Sequence, residues 1–157
     1  MDHFFLTGFP GFIGFHLCKN LVREFPHARF SLLVEARLLD LAKSEWSKIS
    51  KIPADFLVGD LTQPQFGFAD ADLQSLRSSV THVYHLAAIY DLAVPQAVAQ
   101  AINVDGTRHV LDLCASIPGF KRLIYISTCY VAGDRQGVIH ENDLEAGQSF
   151  KNFYERS

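Results

Sequence analysis

The chain has 157 residues, 48% of them hydrophobic and 20% charged, which suits one domain with an ordinary packed core. Its formal charge of −3 carries no basic excess, so a nucleic-acid surface is excluded. Cys18, Cys114 and Cys129 are odd in number and widely spaced, which indicates reduced thiols rather than a disulfide framework or a zinc site.

Five short β-rich runs follow in order: "HFFLT" (3–7), "RFSLLV" (29–34), "DFLVG" (55–59), "THVYHL" (81–86) and "RLIYIS" (122–127). Each is mostly apolar on both parities, as strands covered on both faces require. Helix-like stretches alternate with them. "FIGFHLCKNLVREF" (12–25) sets Ile13, Leu17, Leu21 and Val22 on one side. Weaker helical patterns cover 37–48 and 72–79. The longest spans 98–117 and is punctuated by Pro118 and Gly119. Alternating strand and helix predicts a doubly wound parallel sheet with right-handed crossovers. A long polar loop, 133–147, leads into a final helix, "GQSFKNFYERS". Such loops at the carboxyl ends of parallel strands line ligand sites. His82 and His85 fall three apart in a strand, so they face opposite ways and share no metal. No apolar run reaches the roughly 20 residues of a membrane span, and no signal peptide precedes the first strand. A cytoplasmic location is expected.

"LTGFPGFIG" puts Gly8, Gly11 and Gly14 at the exit of the first strand and the start of the first helix. A diphosphate needs backbone amides aimed at it and no Cβ in the way. Gly8 supplies the tight turn, Gly11 permits close approach, and Gly14 lets helix and strand pack. The helix dipole adds attraction for the anion. Pro10 offers no amide there. Glu35 ends the second strand. A carboxylate at that place accepts hydrogen bonds from both ribose hydroxyls and repels a 2′-phosphate. This favours NAD, while Arg37 suits the 2′-phosphate of NADP instead.

In these motifs the sequence resembles the extended short-chain dehydrogenase/reductases. "TGFPGFIG" is similar to their TGxxGxxG signature, and "VGDLT", "HLAA", "NVDGT", "STCYVAG" and "YERS" resemble further family segments in family order. The resemblance implies a Rossmann-type sheet of about five strands in the order 3-2-1-4-5. It implies cofactor contacts at Gly8, Phe9, Gly11, Phe12, Ile13 and Gly14. Asp60 matches the aspartate that bonds the adenine amino group, with Leu61 beside it. Leu86, Ala87 and Ala88 then lie along the cofactor, and Asn103 belongs to the family's NxxGT. "AAIYDL", "STCYVAG" and "FKNFYERS" are most similar to the acyl- or thioester-reductase (male-sterility) branch.

Several of these residues have plainer readings. Asp60 also suits a turn cap. Ala87 and Ala88 suit close packing against a helix. Gly106 costs a helix roughly 1 kcal/mol relative to alanine, so close approach to the sheet or cofactor is expected to offset it. "NVDG" marks a local kink whose freed carbonyl would bind water. Ser127 and Thr128 face opposite ways, so one of them points at the chemistry. The resemblance favours Thr128, and either hydroxyl could bond its own backbone instead. No G-x-S-x-G elbow surrounds them, so neither is a nucleophile.

The resemblance implies an NAD(P)-dependent oxidoreductase acting on a small carbonyl, alcohol or acyl-thioester substrate. Tyr154 would be the general acid/base and Thr128 would orient the substrate oxygen. The family lysine falls four residues past the tyrosine, on the same helix face, where its charge favours a phenolate. The sequence stops one residue short of that position, and Arg156 projects to another face. Residues 1–157 are therefore expected to be the nucleotide-binding, N-terminal part of a larger enzyme, without its substrate domain and inactive alone. A non-catalytic nucleotide-binding module and a sugar-nucleotide epimerase or dehydratase are the alternatives. In the implied strand order the fifth strand is an open edge, which predicts self-association.

Overall fold

The first strand, β1 (His3–Thr7), is the hub of the fold, because all five of its residues are buried. The computed structural model describes residues 1–157. β1 pairs in parallel with β2 (Arg29–Val34) on one side and with β4 (His82–His85) on the other. β3 (Asp55–Val58) lies outside β2, and β5 (Arg122–Tyr125) lies outside β4. The order β3-β2-β1-β4-β5 is the doubly wound order expected from the sequence.

Side chains alternate across the sheet and feed two cores. Phe4 and Leu6 of β1 join Phe30, Leu32 and Val34 of β2 on one face. Helices α1 (Phe12–Glu24) and α2 (Leu39–Ile49) cover that face with Cys18, Leu21, Ala42 and Trp46. The Trp46 indole N–H donates to the Ile52 carbonyl at 2.7 Å, so its polar tip is satisfied. Phe5, Leu33 and Val83 point to the other face. There α3 (Asp70–Ser79) contributes Leu76, and α5 (Gly106–Ala115) contributes Val110, Leu113 and Cys114. No helix is long and apolar enough to cross a membrane.

Three local expectations are corrected. The helix expected over 98–117 is three pieces. A short α4 (Gln96–Ala99) runs into a π-turn over Gln100–Asp105, and α5 follows. The extra residue in that turn is the expected kink. The Asn103 carbonyl accepts the Thr107 hydroxyl at 2.6 Å. The helix expected over 147–157 forms only as α6 (Phe153–Arg156). Ser149 instead pairs with the preceding loop, its N–H on Asp134 Oδ1 at 2.8 Å and its carbonyl on the Asp134 N–H at 3.0 Å. Finally, β5 stops at Tyr125, and Ser127 lies beyond it. Only the Ile126 N–H extends the ladder, to the His85 carbonyl at 3.0 Å.

Two buried histidines make stability depend on pH. Burial pushes both His3 and His85 down to about 4, with the Arg29 charge adding to the effect at His3. An unfolded histidine titrates near 6.5, so below that the unfolded chain binds protons that the folded chain refuses. Stability is then full above about pH 6.5 and falls as the pH drops towards about 4, by roughly 2–3 kcal/mol per histidine. Urea midpoints measured from about pH 7 to about pH 4.5 should fall steadily, and His85→Gln should flatten the slope.

Candidate dinucleotide site

The carboxyl ends of the strands carry the site. After Thr7 the chain turns at Gly8, whose φ of +87° is the left-handed region that glycine tolerates. A Cβ on Gly8 would lie 2.8 Å from the Ala87 backbone nitrogen. The Gly8 carbonyl accepts the Gly11 N–H at 3.0 Å, and a Cβ on Gly14 would lie 2.6 Å from that same oxygen. The turn is therefore closed against both β4 and α1. Gly11 is the N-cap of α1. No side chain caps this end, and its first turn holds no acidic residue. The N–H groups of the first helical turn are left without intrahelical partners. Gly11, Phe12 and Ile13 are exposed there, Phe12 at 81%. Phe9 differs from its neighbours, because its side chain is buried in the first core, edge-on to Trp46 at 6.0 Å.

Glu35 and Arg37 stand exposed at the end of β2. The sequence sets them as rivals, and the structure joins them. Arg37 Nε donates to Glu35 Oε2 at 2.6 Å, and this carboxylate raises the guanidinium above its usual range. Asp60, past β3, caps its own turn, with Oδ1 accepting from the Thr62 N–H and hydroxyl at 2.8 Å each. Leu61 is buried under α5, where a Cβ on Gly106 would come within 2.7 Å of Leu61 Cγ. That close approach offsets the glycine in the helix. Leu86 and Ala87 are half-buried beside the glycine turn, and Ala88 is exposed.

Beyond β5, Thr128 caps a 3₁₀ turn over Cys129–Ala132, its hydroxyl accepting the Tyr130 N–H at 3.3 Å. Ser127 is exposed. Tyr154 is half-buried, its ring edge-on to Tyr130 at 6.0 Å. Its short helix is better anchored than its length implies. Asn152 Oδ1 accepts the Glu155 N–H at 2.9 Å. In return the Glu155 carboxylate accepts from the Lys151 N–H at 2.9 Å and from Asn152 Nδ2 at 3.2 Å. This reciprocal cap satisfies donors that a one-turn helix would otherwise leave free. The Asn103 amide bonds both the N–H and the carbonyl of Ile89, and also the Ser157 hydroxyl at 2.9 Å. Asn103 therefore ties the π-turn to the Tyr154 segment. The N-x-x-E spacing at 152–155 was a readable signal for the cap. The partners of Asn103 had none, because they lie 14 and 54 residues away.

A glycine turn opening onto an uncapped helix, an acid at the end of β2 and a tyrosine helix beyond β5 define a dinucleotide-binding domain of the extended short-chain reductase class. The male sterility protein family, an NAD-binding group, matches residues 6–157, and the chain belongs to it. A candidate fatty acyl-CoA reductase of Drosophila melanogaster is 30% identical over 146 residues, covering 81% of this chain and 28% of the relative. The large subunit of L-2-aminoadipate reductase from Penicillium chrysogenum is 30% identical over 154 residues, covering 91% of this chain and 11% of the relative. The terminal R domain of the myxalamid PKS-NRPS biosynthetic pathway superposes with a TM-score of 0.84 at 28% identity, over 99% of this chain and 42% of that one. The chain thus spans less than a third of either sequence relative.

Gly8→Ala should be damaging twice over. It places a side chain at positive φ and drives a Cβ against backbone that cannot yield. The expected cost is about 2 kcal/mol or more in urea unfolding, together with loss of NAD binding by calorimetry.

Proposed function

We propose that the domain holds NAD across the carboxyl ends of its strands, as the nucleotide-binding part of a longer NAD(P)-dependent oxidoreductase that reduces an acyl thioester or carbonyl. The uncapped N-terminus of α1 carries this reading. Its free amides, positive dipole end and lack of a competing carboxylate fit a diphosphate. Glu35 would accept the ribose hydroxyls, and Ala87 and Ala88 would flank the ring system. Reduced NAD, when bound, supplies the hydride. Thr128 Oγ1 orients the substrate oxygen. Tyr154 Oη gives its proton to that oxygen as the carbonyl carbon is reduced. The thioester preference rests on the likeness to the R domain and to the acyl-CoA reductase.

Calorimetry should show NAD binding tighter than NADP, by about tenfold if one charge contact decides the choice. Glu35→Ala should narrow that gap, and tighter NADP binding would overturn the assignment. In the whole protein that carries this domain, Tyr154→Phe should cut thioester-dependent cofactor oxidation by about a hundredfold or more.

The open edge of β5 supports a second part of the proposal. Tyr125 and Ile126 there are 44% and 40% exposed, and an unpaired apolar edge templates strand pairing. Residues 1–157 should self-associate through it. Sedimentation should show a mass that rises with concentration, and a clean monomer would refute the idea.

A further inference from the structure

His85 is a buried, titratable side chain with no part in the reaction scheme, yet it sits where the scheme's parts meet. It is 1% exposed. It pairs in register with Thr7 of β1 on one side and with Tyr125 of β5 on the other. The Tyr125 ring stacks on it at 5.2 Å with planes 15° apart. Nδ1 lies 2.7 Å from the Thr7 hydroxyl, and Nε2 lies 3.0 Å from the Thr107 hydroxyl.

The direction of each hydrogen bond follows from counting donors. The Thr7 oxygen accepts the Leu86 N–H at 3.2 Å and the Ala87 N–H at 3.1 Å. A hydroxyl has two acceptor sites and one donor. Its hydrogen is thus all that Thr7 has left for His85, so Nδ1 accepts. Neutral imidazole then carries its proton on Nε2 and donates it to Thr107. Thr107 passes its own hydrogen to the Asn103 carbonyl at 2.6 Å. The row runs one way, from Thr7 through His85 and Thr107 to Asn103. Its consequence falls on the turn, because Thr7 precedes Gly8, and Gly8 rests against Ala87.

We infer that His85 is a positioning residue for the dinucleotide. By accepting the Thr7 hydrogen at Nδ1, it keeps both Thr7 lone pairs on the Leu86 and Ala87 amides. That holds the glycine turn at its distance from the segment that would flank the cofactor. The inference rests on the NAD reading above, and two substitutions separate its parts. His85→Asn puts an amide oxygen near the place of Nδ1 and abandons Thr107. His85→Gln reaches towards the place of Nε2 and vacates Nδ1. Both lose one bond and packing volume, so a merely structural role would lower melting temperature and NAD affinity in parallel for the two.

A positioning role predicts a split. His85→Gln should weaken NAD by about tenfold in calorimetry, the factor for about one lost hydrogen bond, and His85→Asn should recover most of that loss. Hydrogen exchange reads the same geometry without nucleotide. The Leu86 and Ala87 amides should stay protected in His85→Asn and become labile in His85→Gln. Equal loss of protection in both variants, or full protection in His85→Gln, overturns the inference. If His85→Gln does not fold, His85→Asn decides alone, since lability of the two amides in that variant is equally fatal. Failure of the unsubstituted chain to bind NAD would sink the proposed function and leave the exchange test of His85 standing.

Discussion

The near contact between the exits of β1 and β4 governs this domain. Gly8 can lie against the Ala87 nitrogen only because it has no Cβ. The Thr7 hydroxyl bonds the Leu86 and Ala87 amides across the same gap. A turn seated this deeply aims the start of α1 over the sheet's carboxyl edge rather than away from it. Gly14 continues the arrangement, since a side chain there would strike the Gly8 carbonyl and lift the helix. The open amides of α1 are thus a result of packing between two strands and a helix. Loop composition alone would not produce them.

The two cores hold that seat in place. β1 sends Phe4 and Leu6 to one core and Phe5 to the other. Phe4 meets Phe25, Phe30 and Tyr84 edge-on, at 5.1, 5.4 and 5.8 Å, in the geometry aromatic quadrupoles favour. Polar groups enter the interior only where they are bonded. His3 bridges Ser31 and Ser79, and His85 bridges Thr7 and Thr107. No buried side-chain nitrogen or oxygen lacks a partner. Such networks specify one arrangement because any slip strands a polar group in a medium that penalises it.

The segment that carries Thr128 and Tyr154 is built differently. Thr128 and Tyr154 stand on a 3₁₀ turn and a one-turn helix, and neither element has enough backbone bonds to be rigid alone. Side chains supply what is missing. Asn152 Oδ1 caps the Glu155 N–H, the Glu155 carboxylate takes the Lys151 N–H and the Asn152 side-chain amide, and Asn103 reaches across to Ser157. The π-turn around Asn103 thereby links the segment after β4 to the Tyr154 helix.

The sequence by itself determined the alternation of strands and helices, the glycine turn and the acid after β2. These depend on periodicity and on residues near one another in the chain, and periodicity carries over into structure whatever the distant partners are. It also marked a kink near "NVDG", since glycine inside a helical pattern needs a reason. Only the tertiary structure decided what satisfied each polar group. Glu35 and Arg37 resemble rivals as letters and are an ion pair in space. Phe9 sits among the glycines and belongs to the core. The helix expected after residue 147 gave way to pairing of Ser149 with Asp134. His85 shows the limit most clearly, because its bond to Thr7 spans 78 residues. A hydrogen-bond partner is set by where the fold brings an atom, and no local pattern records that.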